Sequence, residues 1–255
     1  MPTPKPAQQR DTHAMTQTAR SLTTRLKEDN WDLHQIAERG DGPAALMRGE
    51  GTLDDYVRLI GQEYLWNVAL DEAVCAARHA DRRVADLIPE SHLRALGAAD
   101  DLAHFNTCPS ELSPTPGTSR FIDYIETAER DPMVILGLHY VRTGATNGNR
   151  FVAKKLRQHF DLPESGEGTA YLDPWGAEQR TVWDAFKTAL GAVEFTPEEQ
   201  GRIFRGVRDS YLYHIGMGNP DRQPTEQEIL AVHTGSLDKD AFLEAHKPTK
   251  STAQA

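Results

Sequence analysis

An all-α domain is what this sequence predicts, on three observations. Apolar residues recur at helical spacing in one segment after another; the longest runs through Leu59, Ile60, Tyr64, Leu65, Val68, Leu70 and Val74. Helix-start signals precede several of these segments, notably Thr52, Asp131-Pro132, and Thr196-Pro197 with Glu198 and Glu199 behind it. No stretch alternates as a half-buried strand does, and there is no βαβ unit or internal repeat.

In chain order, a first helix is expected from Ser21 to about Arg39, closed by Gly40-Asp41-Gly42-Pro43. Thr52 caps a long helix that ends near His79. A third runs from about Glu90 to Phe105. A Ser-, Pro- and Gly-rich loop follows from Thr107 to Thr118, then a short helix through Phe121, Tyr124 and Ile125. Asp131-Pro132 opens the next helix, Leu162 to Pro174 reads as loop, and Trp175 to Leu190 and Pro197 to about Ile215 read as helices stopped by Gly216 to Pro220. Glu226 to Leu230 and Asp240 to Leu243 can each add a short helix. The division expected is a disordered leader over 1–20, one domain over 21–220 and a tail over 221–255.

A chain of 255 residues is long enough to bury a real core. Its formal net charge of −10 argues against nucleic acid or an anionic membrane as partner. No apolar run approaches the ~20 residues of a membrane span, and no signal-peptide h-region is present, so cytoplasm is the expected location. Cys75 and Cys108 have neither zinc nor CxxC spacing and read as free, buried thiols.

Two stretches carry the chemistry. Leu138-His139-Tyr140-Val141-Arg142-Thr143-Gly144-Ala145-Thr146-Asn147-Gly148-Asn149-Arg150 enters and leaves like a helix, yet Gly144, Asn147, Gly148 and Asn149 are poor helix formers. Glycines four apart share one helix face, which can admit a flat ligand to the backbone and should bend the helix. A loop between two helices is the alternative. Upstream, Lys27 and His34 are seven apart, on one helix face and roughly 10 Å apart along its axis. His34 alone reads equally well as a packed or surface histidine.

Together the two stretches resemble the heme oxygenase family. Leu26-Lys27-Glu28, His34 and Ala37-Glu38 match its first-helix pattern L-K-E-x-x-x-x-x-H-x-x-A-E in full. His139, Tyr140 and Arg142 match its H-Y-x-R, and the following G-D-x-x-G-G is matched in part by Gly144 and Gly148. The resemblance implies an all-helical domain that takes heme as both substrate and cofactor. His34 would ligate the iron; Glu38, one turn further on, can accept its free N–H or equally be solvated. Lys27, Tyr140 and Lys187 would meet the propionates, and Arg142 would join a distal water network. It also implies O2, an external electron donor such as a ferredoxin or flavin reductase, and conversion to biliverdin, CO and ferrous iron.

The departures fall on the distal side. The family's aspartate becomes Ala145, or Thr146 if no residue is missing after Arg142, and is a carboxylate in neither register. Asn67 replaces a tyrosine, His214 an asparagine, and Trp183 one of two cations, with Arg180 a possible substitute. His214, Asn67 and Asn147 are expected to hold water or oxygen in place of the missing carboxylate; His214 as a sixth iron ligand is the alternative. Two other classes stay open. One is a heme-binding sensor, carrier or peroxidase-like protein that does not make biliverdin. The other is a non-heme di-iron oxidase using Glu72 and His79, although Arg205 to His214 lacks the H-x-x-x-D-x-x-H spacing expected there.

Overall fold

The computed structural model describes residues 20–38, 46, 49, 51–218 and 223–246, and among these every regular element is helical. The leader, the Gly40–Pro43 closure, the stop at Asn219-Pro220, the end of the tail and the side chain of Glu38 lie outside the described residues.

The expected first helix is two: α1 (Leu22–Glu28) and α2 (Trp31–Glu38). The break is at Asn30. Buried Asn30 turns its side-chain amide onto the Leu26 carbonyl at 2.8 Å, taking over a bond that helix backbone would make. Lys27 and His34 therefore do not lie on one continuous helix. Thr52 starts α3 (Leu53–Ala80) with a reciprocal cap shared with Asp55. A short helix absent from the sequence reading, α4 (Arg82–Leu87), follows from the Asp81 cap. The expected helix from Glu90 to Phe105 is instead a 3₁₀ turn over Glu90–His92 and α5 (Ala95–His104). Thr115 and Pro116 start α6 (Pro116–Ala128) inside the stretch expected as loop.

Asp131 caps α7 (Pro132–Phe160), which runs unbroken through Gly144 and Gly148, so no loop interrupts it. A loop then leads through a 3₁₀ turn at Gly176–Glu178 into α8 (Gln179–Ala192), and α9 (Pro197–Gly218) outlasts the expected stop at Gly216. Two short helices close the description, α10 (Glu226–Thr234) and α11 (Lys239–Ala245). Cys75 is half-buried and Cys108 exposed, so only the free state of the expected buried thiols is found.

The main core joins α3, α6, α7, α8 and α9 around Trp66, Phe121, Leu136 and Phe186. At its centre α7 and α9 touch backbone to backbone. A Cβ on Gly137 would stand 2.9 Å from the Gly206 Cα and closer still to the Ile203 carbonyl. A Cβ on Gly206 would meet the Val134 carbonyl in the same way. Only glycine allows this approach.

Gly206→Ala should therefore cost at least the ~1–3 kcal/mol of an overpacked core, because backbone cannot move aside. Gly201→Ala, on the same helix with nothing near its Cβ position, should instead gain up to about 1 kcal/mol. Urea unfolding midpoints of the two variants check the contrast.

Candidate functional site

The glycine-bearing part of α7 is backed by a buried polar chain. Arg142, 4 % exposed, donates from one guanidinium nitrogen to the Asp71 carboxylate at 2.6 Å and to the Asn67 side-chain carbonyl at 3.2 Å. Its other terminal nitrogen donates to Nδ1 of His139 at 3.1 Å. Arginine only donates, so this contact fixes the tautomer: Nε2 of His139 carries the proton and gives it to the Thr143 hydroxyl at 3.0 Å. Thr146 donates to the Thr143 carbonyl and accepts from Gln179 at 2.5 Å. On the α3 side, Asn67 donates to the Tyr171 hydroxyl at 3.0 Å, which donates to Glu63.

Asp71 is the node of this chain. While one oxygen holds Arg142, the other accepts the backbone N–H groups of Arg94 and Ala95, both at 2.8 Å. It thus caps α5 from another helix, where Arg94 at the cap position has no side chain able to do so. Asp101 of α5 in turn accepts from the backbone of Ala170 and Tyr171, which brings the Tyr171 hydroxyl into the chain.

Burial sets the protonation states. His139 is held well below the usual histidine range, and His92, stacked on it at 5.5 Å, is pushed down to about 4 by burial, with Arg142 and Arg94 adding repulsion. Both are neutral near pH 7. Burial pushes Glu63 up to about 7 against the Tyr171 hydrogen bond.

The other face of α7 is aromatic. Trp183 of α8 lies 5.2 Å from the Tyr140 ring, with its six-membered ring 3.3 Å from where a Cβ on Gly144 would stand. Among the described residues, a Cβ on Gly148 would meet nothing within 4 Å. Lys187 lies over Trp183 and pairs with Asp184 at 2.8 Å. Burial raises the Tyr140 phenol to about 12. Arg180, almost fully exposed, pairs with Asp184 at 3.6 Å.

On α2, His34 is half-buried; Trp31 stacks on it at 4.8 Å and Tyr211 of α9 sets an edge against it at 5.9 Å. Lys27 is exposed and reaches over Trp31 at 5.9 Å. Both α2 and α7 pack on α9.

Of the distal residues expected to act together, Asn67 alone joins Arg142. Asn147 donates to the Gly144 carbonyl of its own helix. His214 bonds the Ser210 carbonyl and sits between Trp66 and Phe121. Ala145 is exposed, whereas Thr146, its counterpart in the other register, is 2 % exposed and bonded. Glu72 and His79 are both exposed, and His79 bonds the Cys75 carbonyl. Sequence reasoning missed Asp71, His92, Tyr171 and Gln179; for Asp71 a signal existed, since Ala69-Leu70-Asp71 stands where the family has A-L-E.

An all-helical domain that rests a short histidine-bearing helix and a long glycine-bearing helix on one shared helix defines the class. The chain belongs to the heme oxygenase family, whose model matches residues 20–219. It is 25% identical to heme oxygenase 1 of Homo sapiens over 199 residues, 76% of this chain and 69% of that protein. Heme oxygenase 1 of Rattus norvegicus is 22% identical over 237 residues, 87% and 82% of the two chains. Among solved structures, heme oxygenase from Leptospira interrogans superposes with a TM-score of 0.71 at 21% identity, covering 78% of this chain and 98% of that one. Heme oxygenase-2 from Synechocystis, solved with heme and NO, gives 0.71 at 16% identity, covering 91% and 95%.

Asp71→Asn should cost about 3–5 kcal/mol, because Arg142 is left buried without its counter-charge; chemical unfolding at pH 7 measures it. The neutral histidines set a second test. Unfolded imidazoles protonate near 6.5, so the stability that His92 and His139 supply is lost as pH falls from about 6.5 toward about 4. Glu63 opposes this, favouring the folded state at low pH and losing that as pH rises through about 7. His92→Gln should flatten the fall in Tm between about pH 6.5 and 4.5 relative to wild type; parallel curves would refute the assignment.

Proposed function

We propose that the chain binds heme between α2 and α7 and opens its ring, with O2 and an external donor such as a ferredoxin or flavin reductase, to biliverdin, CO and ferrous iron. The observation that carries this reading is the buried Arg142–Asp71 pair directly behind the glycine positions of α7, in a chain whose family match spans both helices. Two further features fit heme. The Gly144 position already packs against a flat ring, and among the described residues none stands within 4 Å of a Cβ on Gly148. Among the described residues Arg142 Nε and Gln179 Oε1 are buried polar atoms without partners, suited to ordered water that accepts from the first and donates to the second.

When bound, heme supplies the redox-active iron and is itself the substrate. The rest falls to the protein. His34 would hold the iron through its imidazole. Tyr140, Lys187 and Lys27 would hold the propionates, and Trp183 would pack on the ring. Arg142 holds distal water, and Asp71 holds Arg142. In this reading Asp71 supplies, from α3, the carboxylate that Ala145 and Thr146 do not, and Asn67 completes the grip on Arg142. The working domain is residues 21–220, with the leader and tail outside it. Cytoplasm is the proposed location, and among the described residues no helix is long and apolar enough to cross a membrane.

One observation favours a second reading, a heme-binding protein without ring opening: no carboxylate follows Gly144 on α7 itself. Hemin titration followed by reductant and air separates the two. The expected outcome is a one-to-one Soret band that bleaches as a biliverdin band grows, weakened or shifted in His34→Ala. A Soret band that persists makes the protein a heme binder, and the absence of any Soret band rejects both.

A further inference from the structure

The last two helices lie beyond the span that the family model matches, yet they are built into the molecule. Thr225 and Glu228 cap α10 reciprocally, and Gly235 ends it in the left-handed region at φ 71°. His246 bonds Glu228 at 3.0 Å, holding the end of α11 to α10. Val232 of α10 and Phe242 of α11, 6 % and 2 % exposed, bury against Leu212 and Ile215 of α9 and Leu33 and Ile36 of α2. Leu33 precedes His34 directly, and Tyr211, whose ring meets His34, borders the same cluster.

Polar contacts follow the same lines. His233 of α10 pairs with Asp209 of α9 at 2.7 Å, and Lys239 of α11 with Asp32 of α2. Arg208 of α9 donates to Asn30 at the α1–α2 break at 3.3 Å. Between them α9 and α10 border a cavity of ≈ 510 Å³ lined by Tyr124, Arg205, Asp209 and His233. An eight-residue helix entered through a break has little stability of its own. What packs on α2 decides where it stands.

We propose that α10 and α11 form a clamp on α2, with Phe242 and Val232 as positioning residues that set how firmly His34 is presented. The consequence for ligand retention rests on the heme reading above; the mechanical claim does not.

Hydrogen–deuterium exchange on the full-length, ligand-free protein tests the clamp. In Phe242→Ala the amides of Leu33 to Ala37 should exchange at least ten-fold faster, with α3 and α7 unchanged. Val232→Ala should do the same to a smaller degree, and Phe242→Leu should restore most of the protection. After hemin loading, release to a scavenger should be at least three-fold faster in Phe242→Ala. Unchanged α2 exchange in both alanine variants would overturn the proposal, as would equal acceleration across α3 and α7. If wild type takes up no hemin, the heme reading fails while the exchange data still decide on the clamp.

Discussion

The contact between Gly137 and Gly206 is the constraint on which the arrangement depends. With no side chain between them, α7 and α9 meet at backbone distance, and neither can turn about its axis without driving side chains into carbonyls. Every residue of α7 is thereby assigned a direction. Tyr140 is turned to the aromatic side chains of α8, and His139, Arg142, Thr143 and Thr146 to the polar chain that reaches α3. The same helix α9 carries Tyr211 against His34, so the glycine contact fixes the helix on which both candidate walls rest.

Within that frame Asp71 makes one carboxylate serve fold and site together. Capping α5 and neutralising Arg142 are separate demands, and each oxygen meets one of them. The buried charge on Arg142 is tolerable because it is paired and because His139 is kept neutral beside it. Substitution at Asp71 would therefore disturb α5, the Tyr171 loop and the α7 face at once, which ties local chemistry to folding more tightly than a surface ion pair would.

What the sequence made legible was what periodicity and caps encode. The long helices were readable from Thr52, Asp131-Pro132 and Thr196, because those residues act on the backbone next to them. The break at Asn30 was not, since it depends on an amide that chooses Leu26 and is held in turn by Arg208, 178 residues away. The start of α5 was hidden for the same reason: its cap comes from Asp71 on another helix. Of the site, His34, Tyr140, Arg142 and the glycines stood out as motif residues, whereas Tyr171, Gln179 and His92 lie in turns or at helix starts where no spacing rule marks them. Asn67, expected to act with His214 and Asn147, instead accepts from Arg142. His214 and Asn147 bond carbonyls of their own helices, Asn147 as short polar side chains in helices often do.

The pinned crossing also changes what an insertion or deletion means. On a helix free to rotate, one residue gained or lost past Arg142 could be absorbed by a small turn of the whole rod. On α7 it cannot, because the rod is fixed at Gly137. One residue more or fewer is then a screw motion of about 100° and 1.5 Å for everything downstream. The one-residue offset between Arg142 and Gly144 is thus a difference of direction as much as of spacing: Thr146 points into the polar chain while Ala145 faces solvent. A chain built this way can change its chemistry by shifting register as readily as by exchanging side chains.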